Sequence, residues 1–392
     1  MKLKIWLSLA HMSGREQEFI QEAFDTNWVV SLGPNVNAFE QSLRDFLVEN
    51  GELKIENEGM RVVALSAGTA ALHLGLILLG IQPGDEVICQ SFTFAASANP
   101  IAYLEATPVF VDSEKDTWNM DPVLLEEAIK DRLAKTGKLP KAIIPVHLYG
   151  MPVKMEEVME VANRYGIPVL EDSAEALGSA YKGKKCGTFG EYGVLSFNGN
   201  KMITTSGGGA LICPNEEKAK RALFYATQAR EQAPHYQHEK IGYNYRMSNI
   251  CAGIGRGQMF VLDEHVARRR EIHDLYVKLL EGVKGVKVMC QPEGGDFDSN
   301  YWLTCITVEP GVAGFTREDV RLALDTDNIE SRPLWKPMHL QPVFKDAPFY
   351  GNGTSERLFE IGLCLPSGPT LTDEDIERVG QVIIRLGRKY WK

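Results

Sequence analysis

The sequence predicts an α/β fold, with a mainly parallel central sheet covered by helices on both faces and a smaller C-terminal α+β domain. Three observations carry that prediction. Between Arg61 and Asp172, five apolar strand-like runs alternate with helical segments, and a parallel sheet needs such crossovers because each strand must re-enter from the same end. Beyond residue 214 the alternation becomes irregular. At 392 residues the chain has length for two domains with separate cores. We place the boundary inside a long helical stretch, giving a large domain with an N-terminal arm over 1–262 and a small domain over 263–392.

The first strand is Arg61-Val62-Val63-Ala64-Leu65-Ser66, and Ala67-Gly68-Thr69 turns from it directly into a helix rich in alanine and leucine. Free backbone N–H groups and the helix dipole make such a glycine turn an anion seat, although taken alone a plain βα turn is the commoner reading. A second strand over 86–90 ends in Ser91-Phe92-Thr93-Phe94 before a helix over 95–103. Strand 107–112 follows, and Asp121-Pro122 supplies a cap and a first-turn proline for the next helix. Strand 141–148, helix 155–165 and strand 168–172 complete the series, the last ending on Asp172. In sheets of this kind ligands sit at the carboxyl ends of strands.

The stretch Gly193-Val194-Leu195-Ser196-Phe197-Asn198-Gly199-Asn200-Lys201 then places one lysine between apolar runs, ahead of Gly207, Gly208 and Gly209. With an ordinary pKa of about 10.4, a lysine becomes a nucleophile only through desolvation or a nearby positive charge. By itself the window reads more readily as a turn lysine. Set beside Gly68 and Thr69 as a phosphate seat, Phe94 as an aromatic plate and Asp172 as a carboxylate, Lys201 completes what pyridoxal 5'-phosphate requires: an anchor, a stacking face, a partner for the protonated ring nitrogen, and an amine. The glycines are expected to let backbone pass close by.

Other features narrow the function. A formal net charge of −10 argues against nucleic acid as a partner, and no apolar run has membrane-spanning length. Met1 to Ala10 loosely imitates a secretion signal, but its apolar core is short and His11, Arg15 and Glu16 follow, so we read an arm and expect a cytoplasmic protein. Seven scattered cysteines without a C-x-x-C pair argue against a disulfide framework and a zinc site. His235 and His238 lack metal-ligand spacing on a helix, so no metal is expected. Gly253, Gly255 and Gly257 follow no strand, which favours close helix packing over a dinucleotide fingerprint. Arg268-Arg269-Arg270, beside Glu264 and Glu271, reads as the solvated face of a helix running to residue 280. The C-terminal part carries strand-like runs over 286–289, 301–308 and 329–332, with capped helices from Thr316 and Thr372.

Taken together, Asn27-Trp28-Val29-Val30-Ser31-Leu32-Gly33-Pro34, Lys201, Gly242-Tyr243-Asn244-Tyr245-Arg246 and Trp335-Lys336-Pro337-Met338-His339 resemble the DegT/StrS family of nucleotide-sugar aminotransferases. These are fold type I enzymes of the aspartate aminotransferase superfamily. The resemblance implies that Lys201 bonds the cofactor aldehyde and then serves as acid and base. It also implies that Asp172 pairs with the ring nitrogen, Phe94 stacks on the ring, and Gly68, Thr69 and Ser196 hold the phosphate. Asn244 would reach the phosphate of the neighbouring subunit, making a homodimer with two shared sites, and Arg246 is a candidate for the donor carboxylate. Where many members have glutamine or histidine near the cofactor's phenolic oxygen, this chain has Glu175, which must be protonated or turn away from Asp172. The segment Glu171 to Ser179 resembles the subgroup that aminates C4 of a UDP-linked 4-keto-6-deoxy-N-acetylhexosamine.

The implied reaction is ping-pong transamination from L-glutamate to a nucleotide sugar. Lys201 favours it over dehydration, since dehydratase relatives carry histidine there. Trp28, Tyr301, Arg332 and His339 are candidates for the sugar nucleotide, with Arg332 suited to a diphosphate; packing at the domain boundary is the competing role for each. Three alternatives stand beside this reading: a 3-keto-sugar aminotransferase, a non-catalytic cofactor-binding sensor, and a nicotinamide oxidoreductase. The last would want Gly-x-Gly-x-x-Gly where the chain has Ala67-Gly68-Thr69-Ala70.

Overall fold

The computed structural model describes residues 3–48 and 59–390; Met1 and Lys2 of the expected arm lie outside the described residues. Five strands alternate with helices as anticipated: β1 (Arg61–Leu65), β2 (Glu86–Gln90), β3 (Thr107–Val111), β4 (Ala142–Ile144) and β5 (Leu170–Asp172). A small hairpin, β6 (Ala180–Tyr181) and β7 (Lys184–Lys185), precedes β8 (Tyr192–Ser196) and β9 (Gly209–Cys213). The C-terminal part adds β10 (Val286–Val288), β11 (Phe297–Asp298), β12 (Thr304–Val308), β13 (Arg332–Pro333), β14 (Phe349–Tyr350) and β15 (Gly362–Leu365).

One sheet runs β1-β9-β8-β5-β4-β2-β3-β14, joined at β4 and β5 by the parallel bridges Ile143 to Val169 and Val146 to Asp172. Only β9 runs against its neighbours. It does so because β8 and β9 form a hairpin, and the connection between them carries Lys201. The pleat sends alternate residues to opposite faces: Val63 and Leu65 pack into one core with Leu72 and Leu74, whereas Val62 and Ala64 pack into another with Phe39 and Leu43. Close approach explains Gly208 and Gly209 but not Gly207, where a Cβ would meet only the Ser66 carbonyl at 4.0 Å. A Cβ on Gly208 would lie 2.1 Å from Thr205 Oγ1, and one on Gly209 would lie 2.3 Å from the Gly68 nitrogen.

A separate core forms around Ile272, Tyr276, Ile306, Leu363, Leu365 and Ile376, over the antiparallel sheet β10-β12-β15-β13. Ile5 belongs to this core and bridges to Ile329, so the N-terminal arm is fastened to the C-terminal part. Conversely, β14 extends the large sheet beside β3, and β11 pairs with β6.

Several expectations need correcting. The helix expected to run to residue 280 breaks at Phe260 and Val261 into Asn249–Met259, capped by Ser248, and Leu262–Leu280. Its glycines do serve packing: a Cβ on Gly255 would lie 2.7 Å from the Phe39 ring. The helix over 95–103 is a 3-10 turn, Ala95–Ser97, followed by Asn99–Tyr103, because Pro100 restarts the helix. The strand over 329–332 is reduced to an isolated bridge at Ile329 and the two-residue β13, which starts at Arg332 and runs on to Pro333. Most consequential, Arg269 is not on a solvated face; it is fully buried. Consecutive helical residues point about 100° apart, so three arginines in a row cannot share one face.

Candidate active site

Four strand ends converge on a cavity of about 330 Å³. The chain leaves β1 through Ala67 into the helix Gly68–Leu78, whose N-cap has no side-chain bond, and the amides of Gly68, Thr69 and Ala70 find no acceptor among the described residues. A Cβ on Gly68 would sit 2.9 Å from that of Ser196, the last residue of β8. Glycine is therefore needed for the helix start and the serine to share one corner. Thr93 and Phe94 follow β2, Asp172 ends β5, and Lys201 follows β8. All line the same cavity, as does Glu175.

Asp172 is buried, and burial raises its carboxyl pKa above the usual range. Opposing that, Ser97 Oγ donates to Asp172 Oδ2 at 2.7 Å and the Ala174 amide donates to Oδ1 at 3.1 Å. Thr93 Oγ1 lies 2.8 Å from Ser97 Oγ, extending the chain of hydroxyls. Burial also raises the Glu175 pKa, while the charge of Lys201 and the Tyr149 amide, which donates to Oε2 at 2.6 Å, draw it down. Tyr149 is placed to do this by a left-handed backbone, φ 55°. Lys201 Nζ donates to Glu175 Oε1 at 3.4 Å and lies 4.0 Å from the centre of the Trp302 ring, a cation–π geometry. Phe94 is half exposed and meets Trp335 at 5.2 Å.

The cavity thus assembles Gly68, Thr69, Phe94, Asp172, Glu175, Ser196 and Lys201. Trp28, Asn244 and Arg246 line a different, open cleft of about 640 Å³. There Arg246 is engaged by Glu40 and by the Ala64 carbonyl at 3.0 Å, so within this chain it is not poised for a donor carboxylate. Three sugar candidates lie outside both spaces. Tyr301 has φ 44° and turns its ring onto His273, with centroids 3.6 Å apart, while its hydroxyl accepts from the Gln291 amide at 3.1 Å. Arg332 is exposed, bonded to Glu330 and beside Lys4 and Trp6 in a shallow groove. His339 is held by Ser91 Oγ at 2.7 Å and Glu356 at 3.1 Å and stacks on Phe349.

The residues that sequence reasoning missed are Ser97, Tyr149, Trp302 and Trp335. Trp302 adjoins Tyr301, and the left-handed backbone at Tyr301 turns the two rings apart, Trp302 into the cavity and Tyr301 onto His273. Trp335 begins a segment already singled out. Ser97 and Tyr149 offer no local signal, because each acts through one bond to a residue far along the chain.

Pyridoxal phosphate fits this arrangement on chemistry visible in the structure. Unpaired helix-start amides beside Ser196 suit a dianion, a buried carboxylate with two donors suits a ring cation, and Lys201 shares their cavity. The chain is 50% identical over 391 residues to EpsN of Bacillus subtilis strain 168, which is named for a pyridoxal phosphate-dependent aminotransferase activity; the match covers 98% of this chain and 96% of that protein. It is 38% identical over 365 residues to GDP-perosamine synthase of Escherichia coli O157:H7, covering 93% of each. The pyridoxal phosphate form of the sugar aminotransferase Spr1654 from Streptococcus pneumoniae superposes with a TM-score of 0.86 at 25% identity, covering 100% of both chains. Pyridoxal phosphate is the cofactor of this sugar aminotransferase. Residues 11–384 match the DegT/DnrJ/EryC1/StrS aminotransferase family, and the chain belongs to it.

Proposed function

We propose that the enzyme transfers the amino group of L-glutamate to C4 of a UDP-linked 4-keto-6-deoxy-N-acetylhexosamine, working in the cytoplasm as a homodimer with two shared sites. The observation that carries the catalytic part is the convergence of Lys201, Asp172 and the open helix start at Gly68 on one cavity. For the sugar, support comes from the resemblance carried by the Glu171 to Ser179 segment and from a relative named for a GDP-linked amino sugar. For the dimer, support comes from Asn244, which stands in a cleft apart from Lys201.

Bound pyridoxal phosphate supplies an electrophilic carbon and an electron sink for the bonds around the donor's Cα. The chain's own residues supply the rest. Asp172, kept available as an anion by Ser97 and Ala174, holds a proton at the ring nitrogen. The amides at Gly68 and Thr69, with Ser196, seat the phosphate. Lys201 Nζ would take the proton from Cα of glutamate and hand it back across the nitrogen, so that the amino group would stay with the cofactor and one water would supply the keto oxygen of 2-oxoglutarate; for the keto sugar the same transfers would run in reverse, releasing that water. Glu175 and Trp302 hold Nζ between them while it is free. Phe94, Trp302 and Trp335 wall the cavity and exclude water. The division at residues 262 and 263 belongs to this reading, with the small domain closing over the cofactor domain.

The test is a purified enzyme given L-glutamate and the 4-keto sugar nucleotide, with product NMR locating the new amine. An amine at C4 is expected. Turnover only of a 3-keto sugar would replace the regiochemistry, and a coloured protein inert to every donor would replace catalysis with sensing.

A further inference from the structure

Arg269 is 0% exposed, yet no carboxylate among the described residues pairs with it. Its Nη1 donates to the carbonyls of Trp302 and Ser367, the latter at 3.0 Å, and its Nη2 donates to Ser8 Oγ at 3.1 Å. The Nε is buried with no partner among the described residues. Burial pulls its pKa down to about 9. A desolvated guanidinium facing only neutral oxygens is a costly arrangement, so its location calls for an account.

Its partners converge on one peptide. Ser8 Oγ donates to the Asn200 carbonyl at 3.3 Å, and Trp302 Nε1 donates to that same oxygen at 2.9 Å. Asn200 is joined to Lys201, and the Trp302 ring lies beneath Lys201 Nζ. On the other side of the lysine, His265 Nδ1 lies 3.3 Å from the Met202 carbonyl, and its Nε2 lies 3.0 Å from His11 Nδ1. The N-terminal segment thus reaches the chain before Lys201 directly, through Ser8, and the chain after it by way of His265, which His11 meets. It is itself fixed at Ile5 in the C-terminal core and by the Ser367 amide donating to the Leu7 carbonyl at 2.8 Å. Gly368 leaves it room, since a Cβ there would lie 3.1 Å from the Leu9 nitrogen.

We propose that the N-terminal segment from Ile5 to His11 is a strap, clamped by Arg269, which positions Lys201 by holding the Asn200 carbonyl through Ser8 and the Met202 carbonyl by way of His265. Arg269 is a positioning residue: it acts through Ser8 and Trp302 and touches no substrate. Because the strap is rooted in the C-terminal core while Lys201 belongs to the large sheet, it also ties the placement of the lysine to the relative position of the two cores. The inference rests on the proposed role of Lys201, but not on the identity of the sugar.

Two variants test it, Ser8→Ala, which deletes one hydroxyl at a half-buried site, and Arg269→Lys, which keeps a cation but loses the fork. In cofactor-free protein, amide hydrogen exchange over residues 198–205 should rise at least about tenfold in Ser8→Ala while exchange in the rest of the large sheet stays at the wild-type rate. In protein loaded with pyridoxal phosphate, the pH titration of the visible lysine-bound band should shift, and kcat with L-glutamate should fall roughly tenfold while KM stays within about twofold. Arg269→Lys should not rescue these values, because position and not charge is at stake. Wild-type exchange and an unmoved titration in Ser8→Ala, or full function in Arg269→Lys, would overturn the strap. Failure of the Lys201 reading itself would show differently, as a Lys201→Ala protein that keeps the visible band.

Discussion

The cavity around Lys201 and the cleft around Asn244 contain similar chemistry and opposite degrees of completion. In the cavity the ionisable groups are met from within the chain: Asp172 by Ser97 and Ala174, Glu175 by Tyr149 and Lys201. In the cleft, Arg246 is occupied by Glu40, while Asn244 is exposed and its side chain has no hydrogen-bond partner among the described residues. The rim of the cleft is apolar and exposed at Trp28 and Leu32, and Val29 and Val30 continue it. A continuous apolar rim around an unengaged polar group is what an association surface looks like before association. Folding finishes the first region; on the proposed reading, a second copy of the chain finishes the other.

The sharpest way to break that contrast is Lys201→Ala. If the cavity is self-sufficient in its chemistry, removing one amine should lower transamination by about 10⁴-fold and abolish the visible band of the lysine-bound cofactor, with the fold intact by circular dichroism. Residual cycling between the two cofactor forms would mean that another base operates. The cleft is probed next by Trp28→Glu, which puts a charge on the rim. Removing an anchor of this type costs about 2–4 kcal/mol of association, and sedimentation should show dimer giving way to monomer at micromolar concentration. Mixing Lys201→Ala with Asn244→Ala chains should restore about a quarter of wild-type activity if sites are shared, since half of the dimers are mixed and each mixed dimer has one intact site. No restoration would separate the cleft from the active site.

The same contrast explains how much could be read in advance. Gly68, Asp172 and Lys201 were legible because each sits where a strand ends, and a parallel α/β sheet collects its strand ends at one edge. Ser97 was not: its importance is one bond to Asp172, 75 residues away in sequence. Tyr301 was chosen over Trp302 because nothing local tells which of two adjacent aromatics the chain will turn inward. The φ of 44° at Tyr301 settles it, and that conformation is imposed by tertiary packing. Arg269 was misjudged for the reverse reason, since local charge density suggested solvent while the helix phase pointed the middle arginine at the C-terminal core. Asn244 was legible only through resemblance, because no property of the isolated chain engages it.

A smaller effect is expected at Ser97. Ser97→Ala removes one of two donors to Asp172 and leaves the other. Burial already raises the Asp172 carboxyl, and losing the hydroxyl should raise it further, so the acid limb of the activity profile should move to higher pH. A loss of roughly tenfold at neutral pH matches the usual strength of a hydrogen bond to a charged group. A profile that merely scales down without moving would assign Ser97 to packing.

The smallest effect, Glu175→Gln, asks whether completing the cavity costs stability. Burial, with repulsion from Asp172, outweighs the attraction of Lys201 and the Tyr149 amide, so the Glu175 carboxyl holds its proton more tightly in the folded than in the unfolded chain. A carboxyl with a raised folded pKa contributes its full stability below its unfolded pKa, about 4.3, and loses it as pH rises through the folded value. At neutral pH the buried carboxyl is therefore a burden on the cofactor-free fold. Glutamine has nearly the same shape, keeps an oxygen for the Tyr149 amide and carries no charge. The difference in melting temperature, variant minus wild type, should grow more positive as pH rises from 4 to 8, reaching about 2 °C, or ~1 kcal/mol. The same variant should release Lys201 Nζ from its carboxylate and so alter catalysis, the exchange of stability for function expected at a built site. A difference that stays flat across that range, or falls, would mean that Lys201 fully compensates Glu175 and that the completed cavity is not held at the expense of the fold.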